Sequence, residues 1–410
     1  MSLQLPPAIL DTAHLLWRAL PAMGQRTLVT QVSALLAPIA DRAPAAAAQG
    51  VAIVGEFSRA SESGDAARLM ALTAERLGVP TWPIDIPPLL GRKPDFEPPQ
   101  RRLPPPGVPL VVHMNPPLLP LALLQLGRDV TRGRRIIGYW SCDMPHVPKD
   151  WKTGPRFVHE VWTQSAFSAA AMERLMPGKI RVVPPNLAEE PSVDSRLDRA
   201  AFGIGPDTVV VLAHADFASA FKRDNPLAAI TAFRAAFGDR DDRLLILKIA
   251  HYDRAPGDFG ELRLAARAPN IRLETRAMPA ADSAALARCA DIVLSLHRCT
   301  GFNVHTARAM ALGQPVIATN WSGNLEYMND GTAALVSAAV VESQERRAIA
   351  PGTQWAEPDG GEAVAQLRRL ADDPQARQAL GERARVAIQT QLTSVPLAAA
   401  LRDLGLNVPV

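Results

Sequence analysis

Cysteine is scarce: only Cys142, Cys289 and Cys299 occur in 410 residues. They lie far apart, show no metal-ligand spacing and are odd in number. That argues against a disulfide framework and for a reducing compartment. No apolar run reaches the roughly 20 residues that a membrane-spanning helix needs. Too few positive charges precede the first apolar residues for a secretory signal. A dominant charge is also missing, since 44 Lys and Arg face 41 Asp and Glu, for a net +3. Nucleic acid is therefore not an expected partner. The expectation is a cytoplasmic protein, with peripheral contact at the inner face of a membrane left open.

What is present is a hydrophobic content of 48%, which suits a globular chain. Its length exceeds what one ordinary core holds, so two domains are expected. The most informative stretch is Ile292 to Leu335. An apolar run at Ile292–Leu296 reads as a buried strand. A polar loop, His297–Phe302, leads to Asn303, a good helix N-cap. The helix stops at Gly313 with Pro315 beyond it, and Val316–Ala318 is the next strand. Strand, loop, helix, strand implies a parallel sheet. Ligands bind at the carboxyl ends of such strands, and helix-start amides there meet anions.

The rest of the chain repeats this unit. Residues 1 to about 48 read as helical, with apolar faces at Ile9–Leu20 and at Val29, Val32, Leu35 and Leu36. They form either helices packed on the first domain or a surface anchor with Trp17 and Arg18 at a membrane interface. Strands are expected at Val51–Val54, Val79–Ile84, Leu110–His113, Arg135–Tyr139, Val158–Trp162 and Ile180–Val183. A proline-rich loop spans Pro87–Pro109, with Arg92, Arg101 and Arg102. Asn186–Asp207 holds no strand and reads as a linker. A second set follows at Thr208–Leu212, Leu244–Ile249, Ile271–Leu273, Ile292–Leu296 and Val316–Ala318, with His214–Asp224 as a loop. Closing helices are expected at Glu362–Leu370 and Pro374–Gln391. The fold class expected is α/β, two Rossmann-like domains facing a central cleft. The divisions are 1–48, 49–188, 205–373 and 374–410.

Several segments, in order, resemble the large group of retaining glycosyltransferases of the two-domain GT-B type, which includes bacterial mannosyl- and exopolysaccharide transferases. They are HMNPP at 113–117, GYWSCDMPHVPKDW at 138–151, EVWTQSAF at 160–167, RVVPPNL at 181–187, KRDNP at 222–226, the stretch 292–335 and WAEPD at 355–359. The resemblance runs from about Val51 to Gly381. It implies transfer of a hexose from a nucleotide-diphosphate sugar, a co-substrate rather than a cofactor, to a glycan or lipid-linked acceptor with retention. No metal is expected, because Arg, Lys and helix-start amides can meet the leaving diphosphate. The first domain would take the acceptor, the second the donor. The C-terminal helices, 374–410, would pack back on the first domain.

Carried over residue by residue, Arg223 is expected on the diphosphate, the other reading being a solvated loop charge. Asp224 stands where the family has Lys, and Lys222 is the nearby substitute. Lys248, on the apolar run LLILKIA, needs a phosphate or a carboxylate as partner. His297 and Arg298 end a strand and would face the donor, as would Ser322, Gly323 and Asn324. Gly301, Phe302 and Asn303 follow the family's loop. Asp143, in place of a family Glu, or His113 would orient the acceptor hydroxyl. For Asp143 a plain turn residue is the alternative. Thr300 and Arg308 replace the family's two glutamates, and an arginine accepts no ribose hydrogen bond. Two readings remain. Either the donor is held differently, with Arg308 on a phosphate or carboxylate, or catalysis is lost and the chain is a binding or scaffolding protein.

Overall fold

The structure is a computed structural model that describes residues 30–87, 94–100, 102–191, 195–217, 221–343 and 352–409. The expected apolar face at Ile9–Leu20, with Trp17 and Arg18, lies outside the described residues, as do Val29, Arg92 and Arg101.

Two six-stranded parallel sheets carry the chain. The first contains β1 (Val51–Gly55), β2 (Thr81–Asp85), β3 (Leu110–Val112), β4 (Ile136–Tyr139), β5 (Glu160–Thr163) and β6 (Ile180–Val182), in the order β2-β1-β3-β4-β5-β6. The second contains β7 (Val209–Asp216), β8 (Arg243–Ala250), β9 (Ile271–Glu274), β10 (Ile292–Ser295), β11 (Val316–Thr319) and β12 (Ala334–Val336), in the order β12-β11-β10-β7-β8-β9. Helices cover both faces of such sheets, so strands read as unbroken apolar runs. All five residues of β1 are buried, as are Ile292, Val293 and Leu294 of β10. The expected pair of Rossmann-like α/β domains is therefore what forms.

The two orders fix where ligands can bind. Chain direction across the first sheet reverses between β1 and β3, and across the second between β7 and β10. Crevices open at these points, beyond the carboxyl ends of the strands. The helix Glu62–Arg76 starts after β1, and the helix Val304–Ala311 starts after β10. An ion pair joins them, Arg308 to Asp65 at 3.2 Å, so the two crevices face each other.

Several expectations need correction. His214–Asp216 is not loop but the end of β7, whose eight residues all pair with β8. Strand β12 and the antiparallel hairpin β13 (Ala338–Glu342) and β14 (Gln354–Pro358) were not expected. Nor was the helix Pro256–Ala265. Between residues 30 and 50 only 30–36 is helical, with Pro38 and Pro44 beyond. Its apolar face is not the packed one: Leu35 and Leu36 are 81% and 68% exposed, while Ser33 and Ala37 are buried.

Of the segment 374–410, Pro374–Gln391 does not lie on the first domain. Its Ala384, Ala387 and Ile388 join the core beneath Met310 and Val316. A Cβ on Gly381 would strike the carbonyl of Gly313, so the two chains touch through backbone. The chain then crosses, and Leu397, Leu401, Leu404 and Val408 pack with Val51 and Ile53 of β1.

Candidate functional site

The cleft between the sheets is open to solvent and is walled from both halves by Glu62, Asp65, Ser141 and Asp143 on one side and Thr300, Phe302, Asn303 and Arg308 on the other. Its centre is a carboxylate. Asp143 Oδ1 accepts the Gly301 amide at 2.9 Å, and Oδ2 accepts Arg223 Nη1 at 2.6 Å. A backbone N–H and a guanidinium thus converge on one anion, as strand-end loops favour. Asp143 is therefore more than a turn residue. The approach is close: a side chain on Gly301 would meet Ser141 and Asp143.

A second link lies beside it. Arg308 is held by Glu190 at 2.6 Å and by Asp65 at 3.2 Å. Its Nε also donates to Glu190 at 2.9 Å, so the guanidinium fork is bidentate. Of the partners expected for Arg308, it has carboxylates. Two backbone caps complete the closure. Ser165 Oγ donates to the Gly301 carbonyl at 2.5 Å, and Glu326 accepts the Ala166 amide at 2.8 Å. Glu326 thus sits at the start of the helix Ala166–Met172, where negative charge is favoured. Met144 and Phe167 from the first half pack with Cys299, Trp321 and Trp355 from the second.

The second-half loops that line the cleft are held by their own hydrogen bonds. Asn303 takes a left-handed backbone, φ 65°, and its Oδ1 accepts from the Thr306 amide. Phe302 packs on Tyr327 at 5.0 Å. The Thr300 amide donates to Ser322 Oγ at 3.1 Å, and the Gly323 amide to the Thr300 carbonyl at 2.9 Å. A Cβ on Gly323 would collide with the Gly301 carbonyl, so only glycine fits there.

Other expected residues lie elsewhere, and each has a physical reason. His297 is buried and does not face a donor. Its ring nitrogens meet the Trp321 carbonyl, Asn324 Oδ1 and the Ser295 carbonyl at 3.1 Å each. It fixes the loop, and burial holds its pKa down. Asn324 is equally buried, donating to the Thr319 carbonyl. His113 is not a cleft residue: it stacks on Tyr139 at 4.3 Å, with Nε2 3.3 Å from the Met70 sulfur. Burial pushes its pKa down to about 3 and keeps it from the cleft surface, where an acceptor would have to meet it. Lys248 donates to the Arg276 carbonyl at 2.6 Å, with Glu274 opposite it in the sheet. Its partners are protein groups at the end of β9 and just beyond it. Arg298 pairs with Glu357 at 2.6 Å and lies over Trp355. Lys222 is exposed, and its carbonyl accepts from Arg298. Asp224 Oδ2 accepts the Asp216 amide at 2.9 Å, and burial pushes its pKa up to about 8.

Sequence reasoning missed Glu62, Asp65 and Glu190. Glu62 opens the helix Glu62–Arg76. The signal was present: Ser61 is an N-cap, accepting the Gly64 amide, and acids favour the first turn. Glu62 keeps open surface on the cleft. Burial among the cleft walls, then the Asp143 and Asp216 carboxylates, push its pKa up to about 7, against the pull of Arg223. Water on the open face softens the first cause and leaves the second. His214 and His305 stack in parallel at 4.3 Å.

Known structures of this shape set the chain in context. HepE from Anabaena, solved with UDP and glucose, superposes with a TM-score of 0.59 at 13% identity, over 87% of this chain and 99% of that one. Sucrose-phosphate synthase from Thermosynechococcus elongatus gives 0.60 at 14%, over 87% and 99%. WaaG, a glycosyltransferase of lipopolysaccharide biosynthesis, gives 0.54 at 16%, over 86% and 99%. The fold is GT-B. The sequence family "Glycosyl transferases group 1" matches residues 221–353, which hold Arg223, Gly301 and Arg308. No curated protein matches significantly in sequence. Among the described residues, no helix is long and apolar enough to cross a membrane.

Proposed function

We propose that this chain is a glycosyltransferase that moves a hexose from a nucleotide-diphosphate sugar to a glycan or lipid-linked acceptor, with retention and without a metal. The observation that carries this is the pair of donors on Asp143: the Gly301 amide and the Arg223 guanidinium. They stand at the switch point of the donor-side sheet, where a leaving diphosphate would gather charge. The Asp143 carboxylate occupies the two groups that a diphosphate would use, so donor binding exchanges one anion for another. The similarity of residues 221–353 to group 1 glycosyltransferases and the UDP-bound state of HepE support the same donor class. The work would take place in the cytoplasm or at the inner membrane face.

A second reading has its own observation. Arg308 occupies the position of a family glutamate and is fully engaged by Glu190 and Asp65. A chain closed in this way could bind without turning over.

Thermal denaturation with UDP, GDP and ADP separates binding from its absence. A ligand at 100 times its Kd stabilises by about 2.7 kcal/mol, a shift of several degrees. Release of nucleoside diphosphate from UDP-glucose, GDP-mannose or ADP-glucose then separates the two readings. Stabilisation without release favours the binding protein. Neither effect with any of these compounds removes the donor site altogether.

A further inference from the structure

Away from the cleft, the short helix 30–36 turns its apolar side chains outward. Val32, Leu35, Leu36 and Ile39, the last just beyond the helix, follow the i, i+3, i+4, i+7 spacing of one helix face. They are 45%, 81%, 68% and 51% exposed. The opposite face is small. Ser33 and Ala37 are buried there, and Ala37 joins the core of the first half with Ala34 packed against it. The helix thus has a fixed seat and shows a ridge of aliphatic side chains to solvent. A contiguous apolar stripe of this kind marks an interaction surface.

The charges beside the stripe say what covers it. The Ala40 amide donates to the Arg156 carbonyl at 3.0 Å, and Arg128 Nη1 to the Ile39 carbonyl at 3.2 Å. Two basic segments therefore meet the chain where the stripe ends. One, 149–156, carries Lys149, Lys152 and Arg156 against Asp150. The other, 128–132, carries Arg128 and Arg132 against Asp129. Arg42 adds a further cation, and Asp41 is paired with Arg128. All six cations are exposed. We propose that this face docks on an anionic membrane surface. The aliphatic stripe enters the headgroup boundary, and the arginines and lysines beside it meet lipid phosphates. The guanidinium fork suits phosphate oxygens. The surface is independent of the transferase reading, since none of these residues lines the cleft.

The test is flotation of the full-length protein with vesicles of phosphatidylcholine, with and without phosphatidylglycerol. Wild type should float with the anionic vesicles, bind the neutral ones far less, and lose most binding as salt is raised to about 0.5 M. The double variant Leu35→Glu/Leu36→Glu should lower partitioning by about tenfold or more. Arg132→Gln and Arg156→Gln should each lower it by about fivefold. These side chains are exposed, so the variants should fold, with melting temperatures close to that of wild type. No binding by wild type to either vesicle overturns the proposal. So does binding that ignores lipid charge, and so does binding that survives Leu35→Glu/Leu36→Glu. Light scattering on the same samples reads the rival occupant: a dimer that Leu35→Glu/Leu36→Glu dissociates would give the stripe to a second copy and overturn the proposal as well.

Discussion

The two halves of this molecule are built alike and turn different charged groups toward the cleft. Each is a six-stranded parallel sheet with its switch point at the cleft. The first half presents carboxylates there: Glu62, Asp65 and Asp143. The second presents Arg223, Arg308 and the Gly301 amide. Closure is therefore a meeting of opposite charges, with the connecting segment adding Glu190 to Arg308. The resemblance read from the sequence expects two glutamates at Thr300 and Arg308 of the second half; the carboxylates that line the cleft come from the first half.

The comparison can be broken from either side. The largest effect belongs to Arg223, the cation on which the proposed diphosphate site depends. Arg223→Ala should lower kcat by about 10²- to 10³-fold, as for loss of one charge-stabilising donor, and weaken nucleoside diphosphate binding. Steady-state kinetics with the active donor would show it.

His113 sharpens the contrast from the first half, where it belongs to the core and not to the cleft. Its pKa is pushed down to about 3, so the fold prefers the neutral ring. That contribution is present above the ordinary value of 6.5 and is lost as pH falls toward 3. Its share should make the protein about 2 kcal/mol less stable at pH 5 than at pH 7. His113→Phe should flatten that dependence in urea titrations while transfer stays within twofold.

Arg308 and Glu190 test closure itself. Both are partly exposed, so the pair is worth less than a buried one. A double-mutant cycle with Arg308→Glu and Glu190→Arg should give a coupling of about 1–2 kcal/mol. Each single reversal should be destabilising and the exchanged pair close to wild type. Additive effects would mean that the link does not hold the halves together.

Much of the fold was legible because parallel strands buried on both faces leave plain apolar runs, as at Val51–Val54 and Ile292–Leu296. Asn303, Gly313 and Pro315 marked one helix at both ends. What escaped were elements whose signal is tertiary. Strand β7 runs on through His214 because β8 pairs with it, and β13 forms only by pairing with β14. For the site, position was easier to read than orientation. His113, His297 and Lys248 do end or flank the right strands, but packing turns each toward protein. Glu62 and Glu190 escaped because their meaning lies in groups far along the chain, such as Asp143 and Arg308.

The central claim is that Asp143 holds the place of a diphosphate on Arg223 and the Gly301 amide. Calorimetric titration of wild type and Asp143→Asn with inorganic pyrophosphate, UDP, GDP and ADP tests it directly. Removing the internal charge frees both donors, so the variant should bind pyrophosphate and at least one nucleoside diphosphate about tenfold more tightly. That is the scale of one charge-assisted hydrogen bond, about 1.4 kcal/mol. Weaker or unchanged binding in Asp143→Asn, or none in either protein, would contradict the account.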